Sequence, residues 1–259
     1  AVSTAKHGQY VVIEITQQPS KRSHAIGKVI DVLGDHLAPG MEIDVAIRSH
    51  SIPFEWPEDV VAEVGHLRPE VTEADKQQRI DIRKLPLVTI DGEDARDFDD
   101  AVYCERRDDG WTLYVAIADV SHYVRPSGAL DTEAHCRGTS VYFPDHVVPM
   151  LPEVLSNGLC SLNPKVDRLA MVCEMDIAQN GLVTHSSFYE AVIHSHARLT
   201  YNQVGSMLEE PESSIGIQLA EDFADVLPHL QQLYSLYGVL TSRRQTRGAI
   251  DFETVETRI

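Results

Sequence analysis

The sequence predicts an α+β fold, and three kinds of pattern support this prediction. Short apolar runs rich in β-branched residues are typical of strands, and longer segments with helical spacing of apolar side chains are typical of helices. Two tight-turn signals, Asp108-Asp109-Gly110 and Asn180-Gly181, predict antiparallel hairpins. Strands and helices mixed with antiparallel hairpins indicate an α+β domain. The 259 residues are enough for one large or two smaller domains with a buried core.

The first 50 residues alternate between apolar and polar side chains, which predicts a small β-meander. Turn-forming residues at 18–23 and 34–40 separate its strands. Three strands are few for a closed barrel. We expect these strands near residues 11–15, 29–33 and 43–47.

Prolines, glycines and capping residues predict the elements that follow. Pro57 is expected in the first turn of a short helix that ends near Glu70, and the polar segment after it links two domains. Ser127 as N-cap and Gly138 as the stop predict a helix between them. The remaining strands are predicted as two hairpins, 101–106 with 111–117 and 169–178 with 182–193, and as single strands at 139–143 and 248–255. A helical turn is predicted at 152–156, and Thr200 is expected to cap a helix that ends near residue 209. A long amphipathic helix is predicted at 219–246, with a kink at Pro228.

The rest of the chain is arranged around an acidic segment in its middle. Residues 85–90 form a short apolar run that predicts a strand buried on both faces. Two ionised carboxylates about 4 Å apart near a protein surface repel each other by roughly 4 kcal/mol, so a dense acidic turn between two strands needs a physical reason. The run leads directly into six carboxylates and then into the next predicted strand; the six are Asp91, Glu93, Asp94, Asp97, Asp99 and Asp100.

Two interpretations of these carboxylates are open. A solvated acidic turn requires only that the side chains point apart into water. A metal site is favoured because the turn follows a buried strand and because Arg96 stands among the acids. Mg²⁺ takes hard oxygen ligands, uses one or two carboxylates, and leaves its other positions to waters and phosphate oxygens. An EF-hand is excluded, because the spacing from Asp97 puts Ala101 and Val102 where an acid and the turn glycine are needed.

Composition and charge restrict the class of protein. No run of about 18 apolar residues indicates a membrane span, and no leader indicates a signal peptide, so we expect a cytoplasmic protein without membrane contact. The four cysteines are widely spaced in apolar sequence, which favours reduced thiols over disulfides or zinc. The formal net charge of −18 argues against nucleic-acid binding when taken alone, although a bound metal would offset part of it.

Four long motifs give the chain a family resemblance. The segment TIDGEDARDFDDAV at 89–102 resembles the active-site signature of the ribonuclease II/ribonuclease R (RNB) family of exoribonucleases. Three further segments, at 137–144, 148–163 and 195–201, continue this resemblance in the same order. The resemblance therefore covers almost the whole chain.

The resemblance implies a domain organisation. Residues 1–65 would be part of an all-β OB-fold domain of the cold-shock type, residues 66–84 a linker, and residues 85–259 the N-terminal part of an RNB-type α+β catalytic domain. It also implies that the chain is incomplete at both ends. The first strands of the OB-fold, the C-terminal remainder of the catalytic domain and an S1-type domain would lie outside it.

The resemblance also assigns roles to the acids. Asp91 and Asp100 would be the principal Mg²⁺ ligands, and Asp97 and Asp99 would complete the acidic site. Loss of Asp99 would affect cleavage most. Phosphodiester hydrolysis needs an activated water, a neutralised phosphate and a stabilised leaving oxygen, and one or two divalent ions supply all three.

Three aromatic residues receive RNA-binding roles from the same resemblance. Tyr142 would stack on the base at the scissile 3′ end, and Phe252 would close the other side of that clamp. Tyr201 would lie against the sugar and help to select RNA through the 2′-hydroxyl. A base stacks on any aromatic face for about 1–3 kcal/mol, without sequence preference. Without the resemblance, each of the three is better explained as a core residue.

The sequence leaves three hypotheses for function. The first is a Mg²⁺-dependent enzyme that hydrolyses single-stranded RNA processively from the 3′ end to nucleoside 5′-monophosphates. The second is a non-cleaving RNA-binding fragment, because the family's phosphate-contacting arginine and a further glutamate would lie beyond Ile259. The third is a calcium-binding structural protein. Residues 250–254 resemble the first motif of proofreading-type exonucleases, but that mechanism needs downstream acids and only five residues follow.

Overall fold

A mixed β-sheet carries the acidic segment. The computed structural model describes residues 5–35, 39–93, 95, 97–144 and 146–250. The chain divides into two compact units, residues 1–56 with 141–148, and residues 57–140 with 149–259. In chain order the described elements are β1 (Gln9–Gln17), β2 (Ile26–Asp35), α1 (Met41–Ser49), α2 (Glu58–Val64), β3 (Ile80–Asp81), β4 (Val88–Asp91), β5 (Asp100–Arg107), β6 (Gly110–Ala118), α3 (Ala129–Arg137), β7 (Val141–Phe143), β8 (His146–Val148), β9 (Asp167–Ala178), β10 (Val183–His194), β11 (Ala197–Thr200), α4 (Tyr201–Glu209), α5 (Ser214–Asp222) and α6 (Leu227–Thr246).

Among its described residues, the first unit contains two antiparallel strand pairs and one helix. β1 pairs with β2, and β7 pairs with β8. Helix α1 is attached to β2 by Arg48, whose guanidinium lies 3.1 Å from the carboxylate of Asp31. The same guanidinium stacks over the ring of Phe54 at 4.8 Å. Arg48 therefore links the helix both to the hairpin before it and to the segment after it.

Helix α1 shows that the predicted third strand at 43–47 is wrong. Apolar residues occur there at every second position, which fits a strand. Ile43 and Ile47 are also four positions apart, as are Met41 and Val45, and this spacing fits one face of a helix. Glu42 and Asp44 in the first turn and Arg48 in the last turn complement the helix dipole. In so short a segment these charges, and not the alternation, indicate the structure.

The second unit is built on the mixed sheet, whose strand order among the described residues is β11-β4-β5-β6-β9-β10-β3. The outer pairs, β11 with β4 and β10 with β3, are parallel, and the inner pairs are antiparallel. Both predicted hairpins, β5 with β6 and β9 with β10, are confirmed. Gly110 follows the first turn at a φ of 156°, and a Cβ there would lie 1.9 Å from the carbonyl oxygen of Ile177. Only glycine fits at this position.

Helix α6 covers one face of the sheet and closes its core. Leu230 of this helix packs in one cluster with Val88 of β4 and Leu199 of β11. Leu236, two turns further along, packs in a second cluster with Cys104 and Trp111. Burying a leucine of this kind stabilises a fold by about 1.5–3 kcal/mol. This packing supports β4, the strand that ends in the acidic segment, on the face of the sheet that α6 covers.

Several predicted boundaries differ from the structure. The predicted helix at 219–246 is two helices, α5 and α6, and Pro228 lies in the first turn of α6, where its missing N–H costs no hydrogen bond. Ser127 is not the N-cap of α3, since Gly128 holds that position. Helix α2 ends at Val64, well before residue 70. The helical turn expected at 152–156 is a π-helical turn over Val154–Leu159.

Two predictions are not settled by the described part of the chain. The strand predicted at 248–255 falls mostly on residues 251–259, which lie outside the described residues. The domain boundaries at 65 and 84 stay a prediction.

No described helix is both long and apolar enough to span a membrane.

Candidate active site

The acidic segment joins two adjacent strands at one end of the sheet. β4 ends at Asp91, and β5 begins at Asp100. The two strands are antiparallel, with Val88 opposite Val102. The end of one strand therefore lies beside the start of the other. Strand pairing fixes the backbone of these two residues, and the segment between them, residues 92–99, is called the acid loop below.

The four predicted acids lie close enough for their charges to interact. Burial raises the pKa of Asp99, and the charges of Asp97, Asp100 and Asp91 raise it further. Burial also raises the pKa of Asp100, with a further contribution from the charge of Asp91. Asp99 and Asp100 nevertheless remain exposed to solvent. The structure thus places all four acids in one electrostatic group that water or a cation can reach.

Hydrogen bonds fix the acid loop on both sides of Phe98. The N–H of Phe98 donates to Oγ of Ser161 at 3.0 Å, and its carbonyl accepts from the N–H of Leu162 at 2.8 Å. The carbonyl of Asp99 accepts from the N–H of Ala118 at 2.8 Å. The ring of Phe98 is buried. The backbone between Asp97 and Asp99 therefore cannot shift without breaking these bonds.

Side chains from β11 and α4 hold the first part of the acid loop. Arg198 donates to the carbonyl of Ala95 at 2.8 Å, and its guanidinium lies 4.2 Å from the centre of the Phe98 ring. Asn202 donates to a carboxylate oxygen of Glu93 at 2.7 Å. Arg198 lies within the motif at 195–201, but the resemblance assigns it no role, and Asn202 lies outside that motif. The available signal is only that a polar residue interrupts an apolar strand or opens a helix.

The three predicted RNA-binding aromatics have different positions. Tyr201 is the first residue of α4 and directly follows the β11 residue that pairs with Asp91. Its ring is 64% exposed, and burial together with the charges of Asp91 and Asp100 raises its pKa. Tyr142 lies on β7 in the first unit, and it is exposed. Phe252 lies outside the described residues.

A cavity of about 280 Å³ lies beside two of the acids, Asp97 and Asp99. Cys160 also lines it. Burial raises the pKa of the Cys160 thiol to about 12, and the charge of Asp99 contributes. The thiol is therefore protonated near neutral pH and is a poor nucleophile there. The cavity offers carboxylates as its reactive groups; its other lining residues are Ile117, Ala118, Val120, Ser140, Met150, Leu151 and Ser156.

The donor set fits Mg²⁺ held by few protein ligands. Within the part of the chain that the structure describes, no three His, Cys, Asp or Glu side chains are arranged to enclose a metal ion. Mg²⁺ does not need such a cage, because one or two carboxylates, waters and substrate phosphates complete its octahedron. Asp91 and Asp100 can supply that number of carboxylates, and a cation between them would relieve their repulsion. The individual ligand roles stay a prediction.

Comparisons with known sequences cover both units. The RNB domain family model matches residues 79–259, and a cold shock domain model matches residues 1–57. Ribonuclease R of Vibrio cholerae is 59% identical over 255 residues, which is 98% of this chain and 30% of that protein. Ribonuclease R of Escherichia coli is 56% identical over 255 residues, which is 98% of this chain and 31% of that protein. The chain thus spans less than a third of the length of these two relatives.

Comparisons with solved structures give the same fold. RNase R of Mycoplasma genitalium in complex with ribose-methylated single-stranded RNA matches with a TM-score of 0.84 at 33% identity, over 97% of this chain and 38% of that chain. Yeast Ssd1, described as a pseudonuclease, matches with a TM-score of 0.61 at 18% identity, over 83% of this chain and 28% of that chain, and this shows the fold alone. A pseudonuclease shares the fold, so the fold alone does not indicate catalysis, and the site residues have to be considered.

Proposed function

The chain belongs to the RNB-domain family, and from this premise we propose that it carries the metal-binding part of a Mg²⁺-dependent 3′→5′ exoribonuclease. Its fold is the predicted one, an RNB-type α+β domain preceded by cold-shock sequence. The substrate is single-stranded RNA in the cytoplasm, and the products are nucleoside 5′-monophosphates released processively. The observation that supports this proposal most directly is the grouping of four aspartates where β4 ends and β5 begins.

The residues divide the work at the acidic site. Asp91 and Asp100 would be the principal ligands of the divalent cation, which when bound would activate a water and neutralise the phosphate. Asp97 and Asp99 would be further ligands of the same cation and would complete the acidic site from the acid loop, whose backbone is fixed at Phe98. Because the loop is fixed before substrate arrives, little reorganisation is needed during the reaction.

The aromatic residues bind the RNA strand. Tyr201 presents an exposed ring beside the acids and lies against the sugar of the terminal nucleotide. Tyr142 and Phe252 stack on its base. Stacking of this kind accepts any base, which suits an enzyme that degrades RNA without sequence preference.

A second candidate function is a non-cleaving RNA- and metal-binding unit. The observation in its favour is that the chain spans only 30% of the length of a Ribonuclease R relative. By resemblance, a phosphate-contacting arginine and a further glutamate belong beyond Ile259. We therefore expect the 259-residue chain by itself to cleave weakly or not at all.

A cleavage time course on 5′-labelled poly(A) tests both candidates. The 259-residue chain and the longest natural polypeptide that carries this sequence are compared in Mg²⁺ and in EDTA. We expect the longer polypeptide to shorten the RNA to a small end product in Mg²⁺ only, and the shorter chain to bind RNA without shortening it. A longer polypeptide that leaves poly(A) intact in Mg²⁺ contradicts the enzyme proposal. Robust shortening by the shorter chain contradicts the second candidate.

The variant Asp99→Asn separates catalysis from structure. We expect the longer polypeptide with this change to lose cleavage and to bind poly(A) with an unchanged Kd. The matched control is Asp108→Asn, which makes the same charge change in the exposed hairpin turn after β5. Equal losses of binding and cleavage in Asp99→Asn would show that this carboxylate is structural.

A further inference from the structure

We infer that Ser161 and Arg168 are positioning residues for the acidic site, and that both act through the backbone of Phe98. This inference rests on the proposed function, because it concerns the metal-binding geometry of the same acids. Ser161 and Arg168 bond to backbone groups and act on the acids only through them. A continuous series of hydrogen bonds connects these two residues to the acid loop.

Arg168 is an arginine whose buried guanidinium fixes a turn of backbone. The residue is 8% exposed, and burial lowers its pKa. Its Nε donates to the carbonyls of Gly158 and Ser161, at 3.0 and 2.8 Å, and its Nη1 donates to the carbonyl of Asp167 at 2.9 Å. Burying a charged group costs several kcal/mol unless its donors are bonded. Here the donors bond to backbone carbonyls, so the charge fixes the conformation of the turn that contains Ser161.

Ser161 connects this turn to the acid loop. The residue has no exposed surface, at 0%. Its carbonyl accepts from Arg168, while its hydroxyl oxygen accepts from the N–H of Phe98. The next residue, Leu162, donates its N–H to the carbonyl of Phe98. The turn therefore holds Phe98 by both its backbone groups.

Phe98 stands between two of the four acids, Asp97 and Asp99, which line the same cavity. The other two acids are placed independently, because Asp91 and Asp100 belong to paired strands. The turn that Arg168 fixes therefore determines where Asp97 and Asp99 lie relative to Asp91 and Asp100. Misplacement of a reacting group by about 1 Å costs about 100-fold in rate. We therefore expect the hydrogen bonds to the Phe98 backbone to affect the rate of cleavage as well as the stability of the fold.

Replacing either of two buried serines with alanine gives a matched test of this inference. The measurement is the Kd for Mn²⁺ of the metal-free chain, determined by isothermal titration calorimetry. Ser161→Ala removes the acceptor for Phe98, and Ser195→Ala removes an equally buried hydroxyl that donates to the carbonyl of Ala197 at 3.2 Å. Loss of a group that orients metal ligands costs about 10–100-fold in affinity. We expect the Kd for Mn²⁺ to rise by about 10-fold or more in Ser161→Ala and to stay unchanged in Ser195→Ala.

A second variant covers the case in which Ser161→Ala fails to fold. Arg168→Lys keeps the charge but loses the planar guanidinium that donates to the carbonyls of Gly158, Ser161 and Asp167. We expect it to raise the Kd for Mn²⁺ and, in the longer polypeptide, to lower kcat with KM for RNA unchanged. Circular dichroism and the melting temperature report folding separately, and both serine variants should lose similar stability.

The outcomes distinguish this inference from the proposed function. A wild-type chain that binds Mn²⁺ together with a Ser161→Ala variant that binds it equally well overturns the positioning role and leaves the proposed function standing. Equal loss of Mn²⁺ affinity in Ser161→Ala and Ser195→Ala also overturns it, because the effect is then general destabilisation. A wild-type chain that binds no Mn²⁺ overturns the proposed metal site itself.

Discussion

Replacing Asp99 with asparagine should stabilise the metal-free chain and remove its stabilisation by Mg²⁺. Burial and three neighbouring carboxylates raise the pKa of Asp99 above its ordinary value of 3.8. As pH rises, the unfolded chain ionises this group first, so stability is lost between the ordinary value and the raised folded pKa. Above the folded pKa the loss is complete, and it persists at pH 7. Asparagine carries no charge and avoids this loss.

The expected magnitude follows from the exposure of the Asp99 side chain. An exposed charge pair is worth about 0.2–1 kcal/mol. Asp99 is exposed and has three like-charged neighbours. Because solvent screens their repulsion, we expect its removal to stabilise the metal-free chain by about 1 kcal/mol in total. For a chain of this size that corresponds to a rise in melting temperature of about 2–4 °C. A Mg²⁺ concentration 100 times the Kd would stabilise the wild-type chain by about 2.7 kcal/mol, or about 5–11 °C.

Differential scanning calorimetry at pH 7, in EDTA and in saturating Mg²⁺, measures both effects. We expect Asp99→Asn to melt above wild type in EDTA and to gain much less from Mg²⁺. The control Asp108→Asn should melt like wild type in both conditions, because its exposed turn lies at the other end of β5. A lower melting temperature of Asp99→Asn in EDTA, or an undiminished gain from Mg²⁺, would refute the shared acidic site.

Three further perturbations test the fold that supports the site. Thr200→Ala removes a capping box at the start of α4 and should cost about 1 kcal/mol in urea unfolding; an unchanged midpoint would contradict this. Arg79→Met leaves the buried carboxylate of Asp119 without its guanidinium and should cost about 3–5 kcal/mol, with part of the loss recovered as the pH falls and Asp119 takes up a proton; a loss independent of pH would contradict this. Gly110→Ala places a Cβ 1.9 Å from a carbonyl oxygen of β9, so circular dichroism should show an unfolded or strongly destabilised second unit, and native-like melting would contradict this.

The hairpins and the central strand could be predicted because their signals are local. Asn180-Gly181 and Asp108-Asp109-Gly110 determine turn geometry within a few residues, and the apolar run before Asp91 is buried on both faces as its composition indicates. Helix α1 was mispredicted because its alternate apolar positions fit two periodicities. The break between α5 and α6 was predicted as a kink, because a proline in a helical pattern does not show whether the chain before it stays helical.

The acids of the site could be predicted. Ser161 and Arg198 lie in the motifs at 148–163 and 195–201, but their contacts with the acid loop could not be predicted. All four acids stand within ten positions of one another, so a single segment of sequence identifies them. Ser161 and Arg198 reach the acid loop from 63 and 103 positions away. Only the folded chain brings such distant residues together, because the pairing of β11 with β4 and the turn before β9 are long-range contacts.

X-ray diffraction from Mn²⁺-soaked crystals of the chain tests the central claim most directly, because anomalous scattering locates the metal without reference to activity. We predict one peak in direct coordination distance of carboxylate oxygens from both Asp91 and Asp100, with the acid loop aspartates beside it. Well-ordered carboxylates that point apart, with no peak between them, would contradict the account.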